Sequence, residues 1–170
     1  VKLLRLLKHE QQQRLDPFLL LDEFSFDESS DYIAGFPDHP HRGFETVTYM
    51  QEGKFYHQDC VGNQGVLQAG DVQWITAGRG LIHSEMPEHN ERLLRGFQLW
   101  LNLPAKHKLC KPCCRNIAAA QIPNYRSAAG NLIRVIAGNY GEQAGAMQRA
   151  VTEPLYLDVE LQAGSDEWLQ

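Results

Sequence analysis

The sequence predicts an all-β fold, either an antiparallel sandwich or a barrel. Six or so short runs rich in β-branched, aliphatic and aromatic residues follow one another at short, regular intervals, with turn-forming residues between them. A parallel βαβ arrangement would need amphipathic helical segments between these runs, and the sequence offers none. With 170 residues the chain can form one full domain and only the start of a second.

The predicted strands follow from the local pattern of each run. Residues 18–24 are apolar on both faces at their start, as in a buried strand. A turn at Glu52 and Gly53 makes the two runs around it a hairpin. The predicted strands are 18–24, 44–50, 54–60, 66–68, 72–76, 93–103, 132–137 and 154–161.

The segments between the strands are also predicted from their composition. Gly78 and Gly80 indicate backbone bends that bring His83 inward. The region after Pro104 is a loop-like connection. Polar loops are expected at 25–31 and 87–92, and a short helical turn near 116–121.

Composition excludes several classes of function. The chain has 43% hydrophobic and 22% charged residues, as ordinary globular proteins do. Its 16 basic and 21 acidic residues give a net charge of -5 and no basic stripe, which disfavours direct DNA or RNA binding. No apolar run is long enough to span a bilayer, and the N-terminus lacks the cleavage site of a signal peptide. We therefore expect a cytoplasmic protein that binds no membrane.

Two pairs of metal-competent side chains are each separated by one residue: His39 with His41, and His83 with Glu85. Residues i and i+2 of a strand project from the same face, roughly 7 Å apart. Two such strands side by side would aim all four side chains at one point. Three imidazoles and one carboxylate suit a first-row divalent ion such as Fe, Mn, Ni, Cu or Zn better than Ca or Mg. The alternative is that histidines at this spacing arise by chance and bind nothing.

The four cysteines are interpreted as incidental in a reducing compartment. Cys110 and Cys113 have the spacing of zinc and thiol redox sites, but a zinc site needs a second pair and only Cys60 remains elsewhere. A redox pair normally begins a helix, which lowers the thiol pKa, and no clear helix follows.

Four stretches of the sequence resemble the pirin family of cupins: DPFLLLDEF at 16–24, HPHRGFETVTYM at 39–50, GDVQWITAGRGLIHSEMP at 70–87 and GFQLWLNLP at 96–104. The resemblance covers about the first two-thirds of the chain. It implies a fold of two cupin barrels, each a jelly-roll-like double-stranded β-helix. In the family the N-terminal barrel holds a single iron, which by position implies Fe(II) bound to His39, His41, His83 and Glu85.

The resemblance also implies a domain organisation. We expect an N-terminal cupin barrel with the metal site at 1–104, a linker at 105–130 and the start of an incomplete second cupin domain at 131–170. Family chains are usually long enough for two barrels, so the second barrel is expected to be truncated here. The Cys110 to Cys114 segment replaces a stretch that more often carries a Pro-Xaa-Tyr sequence in relatives.

The implied function is a quercetin 2,3-dioxygenase-type oxidoreductase. Four protein ligands on an ion that prefers six leave two positions for an oxygen molecule and a substrate oxygen. The site would carry a net charge of about +1, which favours an anionic substrate such as a deprotonated enol. Glu85 is the candidate base for the substrate hydroxyl. The alternatives are a non-catalytic transcriptional coregulator that binds a protein partner and an isomerase of a small enolisable metabolite.

Other residues receive secondary assignments. Glu45 would lie roughly 13 Å from His41 on a regular strand, so Glu85 is preferred as ligand and Glu45 is expected to be its neighbour or supporting partner. For His57, in the middle of a strand, the alternatives are a side chain that faces the cavity and one that is solvent-facing or hydrogen-bonded. Four aromatic residues are candidates for the wall of a substrate pocket, with plain core packing as the competing interpretation: Phe36, Phe44, Trp74 and Trp100.

Overall fold

A computed structural model describes residues 3–26, 35–88 and 93–168. The chain forms two compact units, Val1–Ala118 and Ala119–Gln170. Most residues of the two polar loops predicted at 25–31 and 87–92 lie outside the described residues. The described part of the chain contains no helix long and apolar enough to cross a membrane.

The first unit is built from two antiparallel sheets. The six-stranded sheet has the order β1-β2-β9-β4-β7-β10, and the four-stranded sheet has the order β3-β8-β5-β6. One short helix, α1 (Gln12–Leu15), precedes β2. The strands are β1 (Leu4–Leu7), β2 (Phe18–Phe26), β3 (Phe36–His41), β4 (Phe44–Glu52), β5 (Lys54–Asp59), β6 (Gln64–Gln68), β7 (Val72–Thr76), β8 (Leu81–Pro87), β9 (Leu94–Asn102) and β10 (Cys113–Ile117).

The two sheets face each other and enclose a shared core. Alternation along each strand directs every second side chain inward, as the pattern of β5 shows, where Phe55, His57 and Asp59 are buried. One apolar cluster joins both sheets and consists of Phe24, Phe26, Met50, Phe55, Leu67 and Leu94. This confirms the predicted all-β fold, and the pair of facing antiparallel sheets is the architecture of a cupin barrel.

The second unit is smaller. Its strands are β11 (Asn124–Arg126), β12 (Leu132–Ala137), β13 (Asn139–Tyr140), β14 (Gln143–Ala144) and β15 (Tyr156–Glu160). They form a three-stranded sheet in the order β11-β12-β15 and a two-stranded sheet of β13 and β14. Ile133, Val135 and Tyr140 form its buried apolar cluster. The strands predicted at 132–137 and 154–161 are confirmed.

The segment after β9 differs from its prediction. Residues 113–117, which include the start of the expected helical turn, form β10 and pair with β7 along the edge of the six-stranded sheet. Within the expected helical turn at 116–121, residues Ala119–Gln121 form a 3-10 turn. The stretch expected as a linker at 105–130 therefore supplies one strand of the first unit and contains the boundary between the units.

Candidate metal centre

The two motif-bearing strands are neighbours in the four-stranded sheet. β3 and β8 pair in antiparallel register, with His39 opposite His83. A register shift between Phe36 and His39 bends β3 at the start of the motif. Because residues paired across two strands share a face, the pair of His39 and His41 projects from the same side of the sheet as the pair of His83 and Glu85. His41 and His83 are buried and His39 is half-buried.

The three histidines form one cluster. Their donor nitrogens all lie within 4.8 Å of one another. The ring of His39 lies 4.7 Å from that of His41 and 4.4 Å from that of His83, measured between centroids. The structure thus brings together three of the four predicted ligands, from two adjacent strands.

The hydrogen bonds of the cluster fit a metal site. Nδ1 of His39 lies 2.8 Å from the carbonyl of Pro37, and donating there leaves Nε2 free of its proton. Nε2 of His39 lies 3.1 Å from Nε2 of His41. Two imidazole nitrogens bound at right angles about one ion at 2.0–2.1 Å would be about 3 Å apart. Both ring nitrogens of the buried His83 lack a hydrogen-bond partner among the described residues, and a bound metal ion would occupy one of them.

Glu85 is next to the cluster but is not part of the group within 4.8 Å. It follows His83 by two residues on the same face of β8 and is 1% exposed. Its Oε1 accepts the Thr48 hydroxyl and its Oε2 accepts the Gln98 amide, both at 3.3 Å. Both bonds are long for their type, so the carboxylate is held weakly from the opposite sheet.

Burial sets the charge states of the centre. Desolvation, with the nearby charge of His39, lowers the pKa of His41 to about 4. Desolvation also lowers the pKa of His83 to about 3, with further contributions from His39, His41 and His57. Both imidazoles are therefore neutral near pH 7 and can donate a lone pair to a metal. Burial raises the pKa of Glu85, although His39, Thr48 and Gln98 oppose the shift.

Two of the four aromatic candidates lie beside the histidines. The rings of Phe44 and Trp100 stack with centroids 4.5 Å apart. Each of them also meets His41 nearly edge-on at 5.0 Å. The Trp100 indole donates to Oε1 of Gln98 at 3.0 Å, which connects this aromatic wall to Glu85 through one amide.

The structure places Glu45 and Trp74 away from the histidines, which corrects the expectation for Glu45 and gives Trp74 its competing interpretation of core packing. In β4, Phe44 and Thr48 face the histidines and Glu85, so the alternating Glu45 points to the other face of the sheet. There it accepts the Thr76 hydroxyl at 2.7 Å. Trp74 pairs with Val47 and shares that outer face, where it is 1% exposed.

Phe36 takes the competing interpretation, because it packs against the apolar core cluster. Its nearest aromatic neighbour is Phe55, with ring centroids 6.3 Å apart.

Sequence reasoning missed several polar residues that face the centre. Thr48 and Gln98 reach Glu85 from the six-stranded sheet, and only the register between β4 and β9 places them together.

The solvent-facing alternative for His57 is wrong, because the side chain is fully buried and its ring lies 6.0 Å from that of His83. Together with Asp59 and Cys114 it forms a second group of potential metal ligands.

Comparison with known proteins shows the family of this chain. The sequence profile of the pirin family matches residues 1–101. The chain belongs to the pirin family.

A pirin relative from Pseudomonas aeruginosa, named "Putative quercetin 2,3-dioxygenase PA3240", is 51% identical over 168 residues, which cover 96% of this chain and 59% of that protein. A crystal structure of a quercetin 2,3-dioxygenase from Acinetobacter baumannii has a TM-score of 0.77 and 38% identity, covering 85% of this chain and 53% of the other. The bacterial pirin YhhW from Escherichia coli, in complex with nickel(II), shares the fold at a TM-score of 0.54 and 20% identity, covering 75% of this chain and 59% of the other. This pirin chain thus spans from 43% to 60% of the length of the curated relatives it matches.

Proposed function

We propose that this chain carries the active centre of an iron-dependent, quercetin 2,3-dioxygenase-type oxidoreductase. The observation that carries the proposal is the convergence of His39, His41 and His83 beside the buried Glu85. The similarity to relatives named quercetin 2,3-dioxygenases supports the choice of reaction. A flavonol and molecular oxygen are the proposed substrates.

In this proposal the three histidines and Glu85 hold Fe(II). The bound ion would supply Lewis acidity and redox chemistry toward oxygen. Mn, Ni, Cu or Zn suit the same donors, so the metal is chosen by availability as well as by ligand type. The Pro37 carbonyl fixes the tautomer of His39, and Thr48 and Gln98 orient the Glu85 carboxylate.

The proposed substrate site lies along the stacked rings of Phe44 and Trp100. Both rings are half-buried and offer apolar area to a planar aromatic molecule next to His41. Glu85 is the proposed acceptor of the flavonol hydroxyl proton.

The test is aerobic incubation of the iron-loaded chain with quercetin. We expect loss of the flavonol absorbance with uptake of one oxygen molecule for each flavonol consumed. The His41→Ala variant should lose this activity, whereas His107→Ala, on a 3-10 turn outside the cluster, should keep it. The absence of quercetin consumption by fully iron-loaded protein would contradict the enzymatic proposal and favour a partner-binding coregulator.

A cytoplasmic location is part of the proposal. All four cysteines are unpaired, as a reducing compartment favours. Fractionation of cells that express the natural gene would test it, and recovery in an oxidising compartment would contradict it.

A further inference from the structure

We propose that His57, Asp59 and Cys114 form a second metal site, suited to a divalent ion of borderline softness such as Zn²⁺. This site lies beside the histidine cluster but uses none of its ligands. It combines two side chains from β5 with one from β10, which belongs to the facing sheet.

The geometry of the three donors fits one ion. Their ligand atoms all lie within 4.8 Å of one another. Nε2 of His57 lies 3.7 Å from Sγ of Cys114. At the usual zinc bond lengths of about 2.0 Å to nitrogen and 2.3 Å to sulfur, tetrahedral geometry separates these two atoms by about 3.6 Å.

The environment of His57 is the second observation that points to a ligand. The side chain is fully buried, and its Nδ1 has no hydrogen-bond partner among the described residues. Nε2 faces Cys114, so an ion bound there would leave Nδ1 carrying the ring proton. A buried imidazole is unfavourable unless another interaction compensates for its lost hydration, and a bond from Nε2 to an ion would be one.

Asp59 is already oriented as metal-ligating carboxylates usually are. Its Oδ1 accepts the backbone N–H groups of Val61 and Asn63, at 3.0 and 2.9 Å. Its Oδ2 accepts the Asn63 side-chain amide. A carboxylate oxygen has a further lone pair for an ion, so these bonds fix the group without saturating it.

The donor set differs from that of the first cluster. One imidazole, one carboxylate and one thiolate match the ligands that zinc takes in proteins, and a metal deprotonates a coordinating thiol outright. The first cluster offers imidazoles and a carboxylate without sulfur. The two sites should therefore differ in metal preference, with thiophilic ions favouring the site at Cys114.

Cys114 lines a cavity of about 440 Å³, through which the proposed fourth ligand would reach the ion. Arg79 and Lys111 line the same cavity. Their positive charge would favour an anion such as hydroxide or chloride as the fourth ligand. Three protein ligands with one exchangeable position is the arrangement of an open zinc site.

The second site lies close to the first. Asp59 is the register partner of His83, and His57 that of Glu85. The centroids of the His57 and His83 rings are 6.0 Å apart. An experiment must therefore separate the two sites, and the single sulfur ligand allows that because only one site contains a thiolate.

Cobalt substitution of the full chain tests the proposal. The metal-free chain is loaded with Co²⁺, freed of excess metal, and measured by absorption spectroscopy and by elemental analysis. We expect two cobalt ions per chain and a near-ultraviolet thiolate-to-cobalt charge-transfer band. Cys114→Ser should lose the band and one equivalent of metal, and the exposed neighbour Cys113→Ser should retain both.

Two further variants keep the outcome decisive. His41→Ala removes a ligand of the first cluster, so it should lose one equivalent but retain the charge-transfer band. His57→Asn should lose the band, which tests the site independently if Cys114→Ser fails to fold. A wild-type chain without the band, or a band that survives in both Cys114→Ser and His57→Asn, would overturn the proposal. Neither result depends on whether the chain consumes quercetin.

Discussion

The Thr48 hydroxyl lies 3.3 Å from Oε1 of Glu85 and so joins the two sheets at the candidate metal centre. Gln98 makes the matching contact to Oε2 and is itself fixed by the Trp100 indole. The carboxylate proposed to complete the site is thus oriented by two strands of the facing sheet, β4 and β9. This arrangement predicts that metal binding depends on residues outside the two motifs.

Thr48→Val tests that dependence. The substitution keeps the shape of the side chain but removes the hydroxyl that orients Glu85. We expect a loss of metal affinity of about 10-fold to 100-fold, as is typical when a supporting partner of a ligand is removed. Competition with a chelator of known affinity measures the change.

Thr46→Val is the matched control for this variant. Thr46 is also buried and faces the same side of β4 as Thr48. The hydroxyl that donates to Oε1 of Glu85 is that of Thr48. The affinity of Thr46→Val for the metal should stay close to that of the wild type. Equal losses of metal affinity in the two variants would show that packing, and not the hydrogen bond from Thr48 to Glu85, controls metal binding.

Trp100→Leu tests the proposed aromatic wall. The variant removes the ring that stacks on Phe44 and meets His41, and aromatic contacts of this kind are worth about 0.5–1.5 kcal/mol. We expect KM for quercetin to rise by roughly 2-fold to 10-fold at the same iron content. Trp100→Phe, which keeps a ring but loses the indole donor to Gln98, should show a smaller rise in KM. An unchanged KM in Trp100→Leu would place the substrate elsewhere.

The pKa shifts predict that the metal-free protein loses stability in mild acid. His41 and His83 have a pKa of about 4 and about 3 in the folded chain, against 6.5 for an unperturbed histidine. Between pH 6.5 and these values the unfolded chain binds more protons, so the free energy of unfolding falls as the pH is lowered. Since each pKa unit corresponds to 1.36 kcal/mol, the loss is on the order of 3 kcal/mol or more.

Glu85 acts in the opposite direction. Its raised pKa means that the folded chain holds a proton that the unfolded chain has released. This contribution to stability is present at low pH and is lost as the pH rises.

Urea denaturation of the wild type and of the His41→Gln/His83→Gln double variant at several pH values separates the contribution of the histidines. The double variant should show the flatter pH dependence, and parallel curves would contradict the assignment.

Gly78→Ala should destabilise the bend that leads into β8. Gly78 has a φ of +51°, and a Cβ at this position would collide with the backbone carbonyl of Cys110. We expect a loss of at least about 2 kcal/mol in the free energy of unfolding, because strain and steric overlap add. Gly62→Ala is the control, since Gly62 also has a positive φ but open space around its Cα. Equal effects on Tm would exclude the steric contribution.

The sequence predicted those parts of the structure that depend on local pattern. Alternation and turn residues located most strands, and the spacing of His39 with His41 and of His83 with Glu85 identified the side chains that the structure brings together or next to one another. These predictions succeed because a two-residue period determines which side chains share a face of one strand.

The remainder depends on contacts between strands that are far apart in sequence. Thr48 and Gln98 meet Glu85 only because β4 and β9 pair in one register and face β8. Glu45 is next to the inward-facing Phe44 on β4, but residues one position apart on a strand point to opposite faces. Trp74 shares the face of Glu45 through the register of β4 with β7. Cys114 is far in sequence from its partners on β5, so its spacing to Cys110 and Cys113 carried no information about His57.

An anomalous difference map from crystals of the iron-loaded chain, collected at the iron absorption edge, would locate the metal and its ligands together. We expect one strong peak about 2.0–2.2 Å from a nitrogen of each of His39, His41 and His83 and from an oxygen of Glu85, the usual range for such ligands. A peak bound by other side chains, or no peak in protein that elemental analysis shows to be loaded, would contradict this expectation.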